Sequence, residues 1–227
     1  MQLVKQMGKS LTRTGGALAR AVERAKADRR RVRIGFIVDA TASRDAAWEQ
    51  AQTVQGRMFE SVAGLGRVSL RLMHFGGGAL TDHGWSENTR GLAARMAAVR
   101  CEQGLTHIVP ALRTLLNDEH QADAVILVGD AFEEDAGDAL LLCHALRIRG
   151  IKVFSFFEGG LGAAEDSFRL IAETTGGRFA RLGDDLPLAD LCEGVALLAA
   201  GGEKAVRRLT NERARKLLLA GPGDRKS

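Results

Sequence analysis

Short, almost unbroken apolar runs alternate along this chain with longer stretches whose apolar residues recur every three or four positions. Arg33-Ile34-Gly35-Phe36-Ile37-Val38-Asp39 and Ala124-Val125-Ile126-Leu127-Val128-Gly129-Asp130 are runs of the first kind, each ending on an acid. Val68 to Phe75, closed by Gly76-Gly77-Gly78, Ile151 to Phe157 and the shorter Arg178 to Leu182 complete the predicted strands, with Ala79 to Trp85 as a short edge strand. Between them the helical period predicts Ala46 to Val62, Thr89 to Val99, Thr106 to Leu116, Ala139 to Arg149, Glu165 to Thr175 and Leu188 to Ala200. Pro110 is compatible with the early part of its helix, where backbone donors lack partners. Strands apolar throughout suit a sheet covered on both faces, and strands separated by helices imply right-handed crossovers. The expectation is an α/β protein with a mainly parallel sheet.

The two ends differ from this centre. Leu11, Leu18, Val22 and Ala25 predict a helix from about residue 16 to 30, and Gly201-Gly202 precedes a predicted helix from Lys204 to Leu219. The net charge of +4 conceals +8 over residues 1–33, −9 over 34–202 and +5 over 203–227. We therefore expect a basic N-terminal helical extension (1–31), one domain (32–200) and a basic C-terminal helix and tail (201–227). The flanks lack interleaved aromatics and any nucleic-acid motif, so a solvated or packed helix surface is favoured over nucleic-acid binding, which the basic flanks leave open.

Composition narrows the class. Apolar residues are 45% and charged residues 26% of 227, which excludes a disordered chain, and no uncharged apolar run is long enough to span a bilayer. Cys101, Cys143 and Cys192 are an odd, widely spaced set with no C-x-x-C pair, so they suggest neither a disulfide framework nor a zinc site. With no secretory signal behind Met1, reduced thiols point to the cytoplasm.

Ligands in parallel sheets bind beyond the carboxyl ends of the strands. Three chemically loaded segments fall there: Asp39-Ala40-Thr41-Ala42-Ser43, Gly104-Leu105-Thr106 and Gly129-Asp130. Together they offer two carboxylates and three hydroxyls, hard oxygen ligands that select Mg²⁺, with Mn²⁺ or Ca²⁺ as alternatives, over softer metals. If Thr41, Ser43 and Thr106 bind through neutral hydroxyls while Asp39 and Asp130 act largely through water, the ion stays electrophilic and takes a carboxylate from outside.

These residues resemble the metal-ion-dependent adhesion site (MIDAS) of the von Willebrand factor type A (VWA) family, over about residues 32–200. Asp39, Thr41 and Ser43 correspond to its D-x-S-x-S motif, Thr106 to its lone threonine and Asp130 to its second aspartate. Thr41 replaces the commoner serine, Leu105 precedes Thr106 and Ala131 follows Asp130, both at positions where glycine is frequent. The resemblance implies a Rossmann-like three-layer α/β/α fold, a six-stranded sheet with one antiparallel edge strand, and a non-catalytic module that captures an acidic group of an intracellular protein partner. The stretches from Val128 to Asp135, Phe154 to Gly160, Thr175 to Phe179 and Ala199 to Gly202 resemble bacterial cytoplasmic stand-alone VWA proteins, which hints at chaperone-linked work.

The competing class is a phosphotransfer enzyme of the haloacid dehalogenase type, with Asp39 as nucleophile and Gly129, Asp130 and Asp135 as its late acidic box. Such enzymes carry an aspartate where this chain has Thr41, and a phosphate-binding lysine where none occurs between Lys26 and Lys152. Glu133, Glu134 and Asp135 are expected as first-turn acids favoured by a helix dipole, with a place on the site's rim as the alternative. Glu158 faces either the site or solvent. The five histidines form no set, and His107, the one beside the proposed ion, has no nucleophile or orienting acid. Trp85 is expected as a packed edge-strand aromatic, with an exposed partner-contact role as the alternative.

Overall fold

Val32–Asp39 (β1) is buried along its last six residues because it lies mid-sheet, parallel to Val68–Gly76 (β2) on one side and to Ala124–Gly129 (β4) on the other. The computed structural model describes residues 31–44, 68–183, 186 and 188–220, so the helices expected over 16–30 and Ala46 to Val62 lie outside the described residues. The chain divides into two units, Met1–Arg31 and Val32–Ser227, and the second carries all that follows. Adding Ala79–Ser86 (β3), Lys152–Phe157 (β5) and Phe179–Arg181 (β6) gives six strands in the order β3-β2-β1-β4-β5-β6. Only β3 runs antiparallel, as the edge strand the sequence predicted.

Alternation along the strands sorts the apolar side chains into two layers. Ile34, Phe36, Val38, Leu70 and Leu72 face one side, under Thr89–Ala98 (α1), Leu188–Val206 (α5) and Glu212–Leu219 (α6). Ile37, Met73 and Phe75 face the other, under Ile108–Leu116 (α2), Ala136–Ile148 (α3) and Ala163–Thr175 (α4). The result is a three-layer α/β/α sandwich. Each fully buried Phe or Leu in these layers contributes about 1.5–3 kcal/mol through its removal from water.

Helix ends depart from the sequence expectation in ways that matter for the site. α2 starts at Ile108, which leaves Leu105, Thr106 and His107 in the preceding loop. α3 starts at Ala136 with Asp135 as its N-cap, the side chain accepting the Asp138 N–H at 2.8 Å. Glu133 and Glu134 are therefore not first-turn acids. The helix expected from Lys204 to Leu219 is two: α5 continues past a kink at Gly202 (φ 64°) to Val206, and α6 begins at Glu212 behind an Asn211 cap. Val206, Leu209, Ala214 and Leu218 are buried in the first layer, so this basic segment packs as part of the body.

The β2–β3 ladder shifts register between Arg71 and Met73, next to Gly84 at φ +67°. That bulge puts Asp82 and Trp85 on the same face as Arg71 and Met73, and leaves His83 on the face of Thr81 and His74. Trp85 is half-buried against the second layer and donates its indole N–H to Asp118 at 3.0 Å, the packed edge-strand role. Among the described residues, no helix is long and apolar enough to cross a membrane.

Candidate metal centre at the strand tips

Asp39, the last residue of β1, is fully buried, and its Oδ1 accepts the Thr41 N–H at 2.8 Å. This local turn is one short aspartate side chains favour, and it bends the chain back over the strand tip. The loop is pinned from outside as well: the Ala40 N–H donates to the Phe75 carbonyl at 2.9 Å and the Glu102 N–H to the Ala40 carbonyl at 3.1 Å. Thr41 and Ser43 thereby bring their hydroxyls to 3.0 Å from each other, and Ser43 Oγ donates to Asp130 Oδ1 at 3.1 Å. A hydroxyl has one proton to give. Since Ser43 gives its proton to Asp130, Thr41 donates to Ser43, and the chain of hydroxyls ends on a carboxylate.

Gly129 makes this convergence possible. A Cβ there would lie 2.9 Å from Asp39 Cβ and 3.1 Å from both Asp39 Oδ2 and Phe168 Cζ, so a side chain would push β4 away from β1. The Glu158 N–H donates to the Gly129 carbonyl at 2.9 Å, which sets the β5 tip beside Asp130.

The spacing of these oxygens bears on what they can hold. An octahedral Mg²⁺ with bonds of about 2.1 Å keeps neighbouring ligand oxygens about 3 Å apart. Thr41 Oγ1, Ser43 Oγ and Asp130 Oδ1 already stand at 3.0 and 3.1 Å in sequence. The donor set is two carboxylates with neutral hydroxyls, all hard oxygen. Among the described residues no group of three or more His, Cys, Asp or Glu side chains could hold a metal, so any ion here depends on the hydroxyls.

Thr106 is engaged elsewhere. Its hydroxyl donates to Glu134 Oε2 at 2.5 Å and accepts the Glu133 N–H at 3.0 Å. Its N–H donates to Glu133 Oε2 at 3.0 Å, while Glu134 Oε1 accepts the Val109 N–H at 2.9 Å. Two carboxylates from the loop after β4 thus satisfy backbone donors at the start of α2, which has no side-chain cap of its own at His107. His107 instead contacts the Leu105 carbonyl through Nδ1 at 3.0 Å. Sequence reasoning missed this pairing because it expects Glu133 and Glu134 as first-turn acids, whereas α3 begins at Ala136 behind the Asp135 cap and leaves both in the loop. Leu105 is 65% exposed on the same loop.

A second cluster escaped the sequence altogether. His74 and His83 stack with ring centroids 5.3 Å apart on the first-layer face of the edge ladder. Two of the five histidines therefore do form a set. The bulge that aligns them leaves no trace in residue spacing beyond Gly84.

Three solved structures fix the fold by likeness. The conserved hypothetical protein BatB of Bacteroides thetaiotaomicron matches 76% of this chain and 99% of its own at 16% identity, TM-score 0.59. A von Willebrand factor type A protein of Catenulispora acidiphila matches 75% of this chain and 43% of its own at 14% identity, TM-score 0.59. Proximal thread matrix protein 1 of the mussel byssus, solved with zinc in its MIDAS motif, matches 75% and 46% at 20% identity, TM-score 0.56. No family model and no curated protein matches the sequence.

Proposed function

We propose that this chain, which has the von Willebrand factor type A fold, is a binding module that grips an acidic group of an intracellular protein partner through a divalent ion, Mg²⁺ in the first instance. The observation that carries the reading is the run of three oxygens, Thr41, Ser43 and Asp130, at octahedral-edge spacing above buried Asp39. These residues would hold the ion, with Thr106 joining once its hydroxyl exchanges Glu134 for the metal. When bound, the ion supplies a Lewis-acidic position for an incoming carboxylate. The chain's own part is orientation: the Asp39 turn aims Thr41 and Ser43, and Gly129 lets the β4 tip close on them.

Two further features favour binding over catalysis. Asp135, which would complete a phosphotransfer box, caps α3, and position 41 gives a hydroxyl already donating to Ser43. Leu105, large, apolar and exposed beside Thr106, is a side chain that a docked partner would cover.

Calorimetric titration of Mg²⁺, Mn²⁺ and Zn²⁺ into the wild type and Asp130→Ala tests the metal. Zinc belongs in the series because the mussel protein's motif holds it. A saturable heat in the wild type that disappears in Asp130→Ala is expected; equal heats, or none in either, refute the site. Capture of partners from cell extract with and without chelator tests the function, and partners retained equally in both would show recognition that bypasses the ion. Turnover of a phosphate ester with Mg²⁺, abolished by Asp39→Asn, would replace the reading with the phosphotransfer one.

A further inference from the structure

On the first-layer side of the β2–β3 edge lies an open groove of about 390 Å³, lined by His74, Thr81, Arg95, Arg100 and Glu102 among others. Of its polar side chains Arg95 and Arg100 can only donate, His74 and Thr81 can donate or accept, and Glu102 is an acceptor. Arg95 Nη1 lies 3.3 Å from His83 Nδ1, and a guanidinium has only protons to give, so Nδ1 is the acceptor and the His83 proton sits on Nε2. His83 is thereby neutral and acts as a positioning residue that steadies Arg95. Burial and the neighbouring Arg95 cation both hold the His83 imidazole below its ordinary pKa, and burial followed by His83 does the same to His74. His74 Nδ1 is buried and has no hydrogen-bond partner among the described residues. Neither Arg95 nor Arg100 pairs with a carboxylate among the described residues, although Glu102 lies on the same rim. Two guanidiniums without a carboxylate partner among the described residues, the exposed Thr81 and the His74 ring around one concavity suit an oxyanion and would repel a cation.

We propose that this groove binds a tetrahedral oxyanion of the phosphate class, gripped by Arg95 and Arg100 and completed by Thr81 Oγ1 and the His74 ring. Two cationic forks match the double charge of a phosphate better than the single charge of a carboxylate, while Glu102 on the rim opposes any anion. The anion is either inorganic phosphate or the phosphate monoester of a modified side chain.

The test titrates inorganic phosphate, O-phosphoserine and acetate into the full chain at pH 7.5 with chelator present, followed by calorimetry and by imidazole ¹⁵N shifts. Saturable phosphate binding is expected, weakened about tenfold or more in Arg95→Gln/Arg100→Gln, as loss of charged hydrogen bonds implies. Asp130→Ala should bind phosphate like the wild type, which separates this site from the metal reading. Equal or tighter binding of phosphoserine identifies a modified side chain as the source, and weaker binding identifies the free anion. No saturation, an unaffected double variant, or acetate as tight as phosphate would each overturn the proposal. Both arginines are exposed, so the double variant is expected to fold, and unchanged thermal unfolding verifies it.

Discussion

At the strand tips acceptors crowd one another, whereas in the edge groove donors do. Asp39, Thr41, Ser43 and Asp130 put oxygens against oxygens with a single chain of protons among them, while Arg95, Arg100 and His74, with His83 stacked on its ring, put nitrogens beside a concavity that Glu102 opposes. A folded chain keeps like groups together when something of opposite character is bound there or when the surrounding backbone leaves no choice. Beside each cluster stands a satisfied one built from the same residue types. Thr106 with Glu133 and Glu134 matches acceptors to backbone donors next to the tip. Arg71 with Asp82 and Asp118 matches cation to carboxylate on the opposite face of the same edge ladder. The contrast separates residues that hold the fold from residues free to hold a ligand.

The largest effect should come from breaking a satisfied cluster. Arg71 binds Asp118 and Asp82 at once, Trp85 donates to the same Asp118, and both Arg71 and Asp118 are only about a tenth exposed (12% and 10%). Removing Asp118 leaves Arg71 held by Asp82 alone and takes the acceptor from the Trp85 indole N–H and the His120 N–H. Asp118→Ala should therefore cost about 2–3 kcal/mol in chemical denaturation, whereas Arg95→Ala should stay within about 0.5 kcal/mol. Comparable losses in the two would erase the distinction between fold-holding and ligand-holding residues.

A smaller cost is expected beside the tip. Glu134→Ala removes the acceptor of the Val109 N–H and of the Thr106 hydroxyl, so α2 loses the substitute for its absent cap. The loss should be about 1–2 kcal/mol, read from the denaturation midpoint. Mg²⁺ heat should persist in this variant, since Thr41, Ser43 and Asp130 are untouched. Heat abolished by Glu134→Ala would place that carboxylate within the metal set and the boundary between the two clusters in the wrong place.

How far the sequence showed all this depends on distance along the chain. β1 and β4 are legible because each is a run of buried residues whose periodicity needs no partner to be seen, and the D-x-T-x-S turn closes within five residues. β3 was legible as a short edge strand, and its antiparallel direction was what the family resemblance implied. The cap exchange between Glu134 and α2 was hidden because it joins residues 25 apart and depends on where α3 begins. The kinked end of α5 was misplaced because Gly202 marks a break for propensity, whereas the burial of Val206 and Leu209 keeps the chain packed through it. The histidine pair depends on a one-residue bulge, and a slip of one residue exchanges the faces of a strand, so no periodicity announces which side chains meet.

The smallest effect distinguishes the histidine pair by its response to pH. Both rings have folded-state pKa values below the ordinary 6.5, held down mainly by burial, with His83 acting on His74 and Arg95 on His83. Asp82 pulls the other way on His83, and Arg100 and Glu102 share the groove with His74. Above pH 6.5 both states carry neutral rings and stability is at its full value. As pH falls through 6.5 the unfolded chain takes up protons that the folded chain refuses, so unfolding becomes easier until the folded rings also protonate. One proton fully withheld gives a slope of about 1.4 kcal/mol per pH unit, and the partial exposure of both rings keeps the observed slope below that. In His74→Gln/His83→Gln the slope between pH 6.5 and 5 should flatten relative to the wild type. Phosphate should reduce the wild-type slope as well, because an anion in the groove raises both pKa values toward their unfolded ones. A double variant with the wild-type slope would assign the acid sensitivity to carboxylates elsewhere and leave the groove's histidines without a part in it.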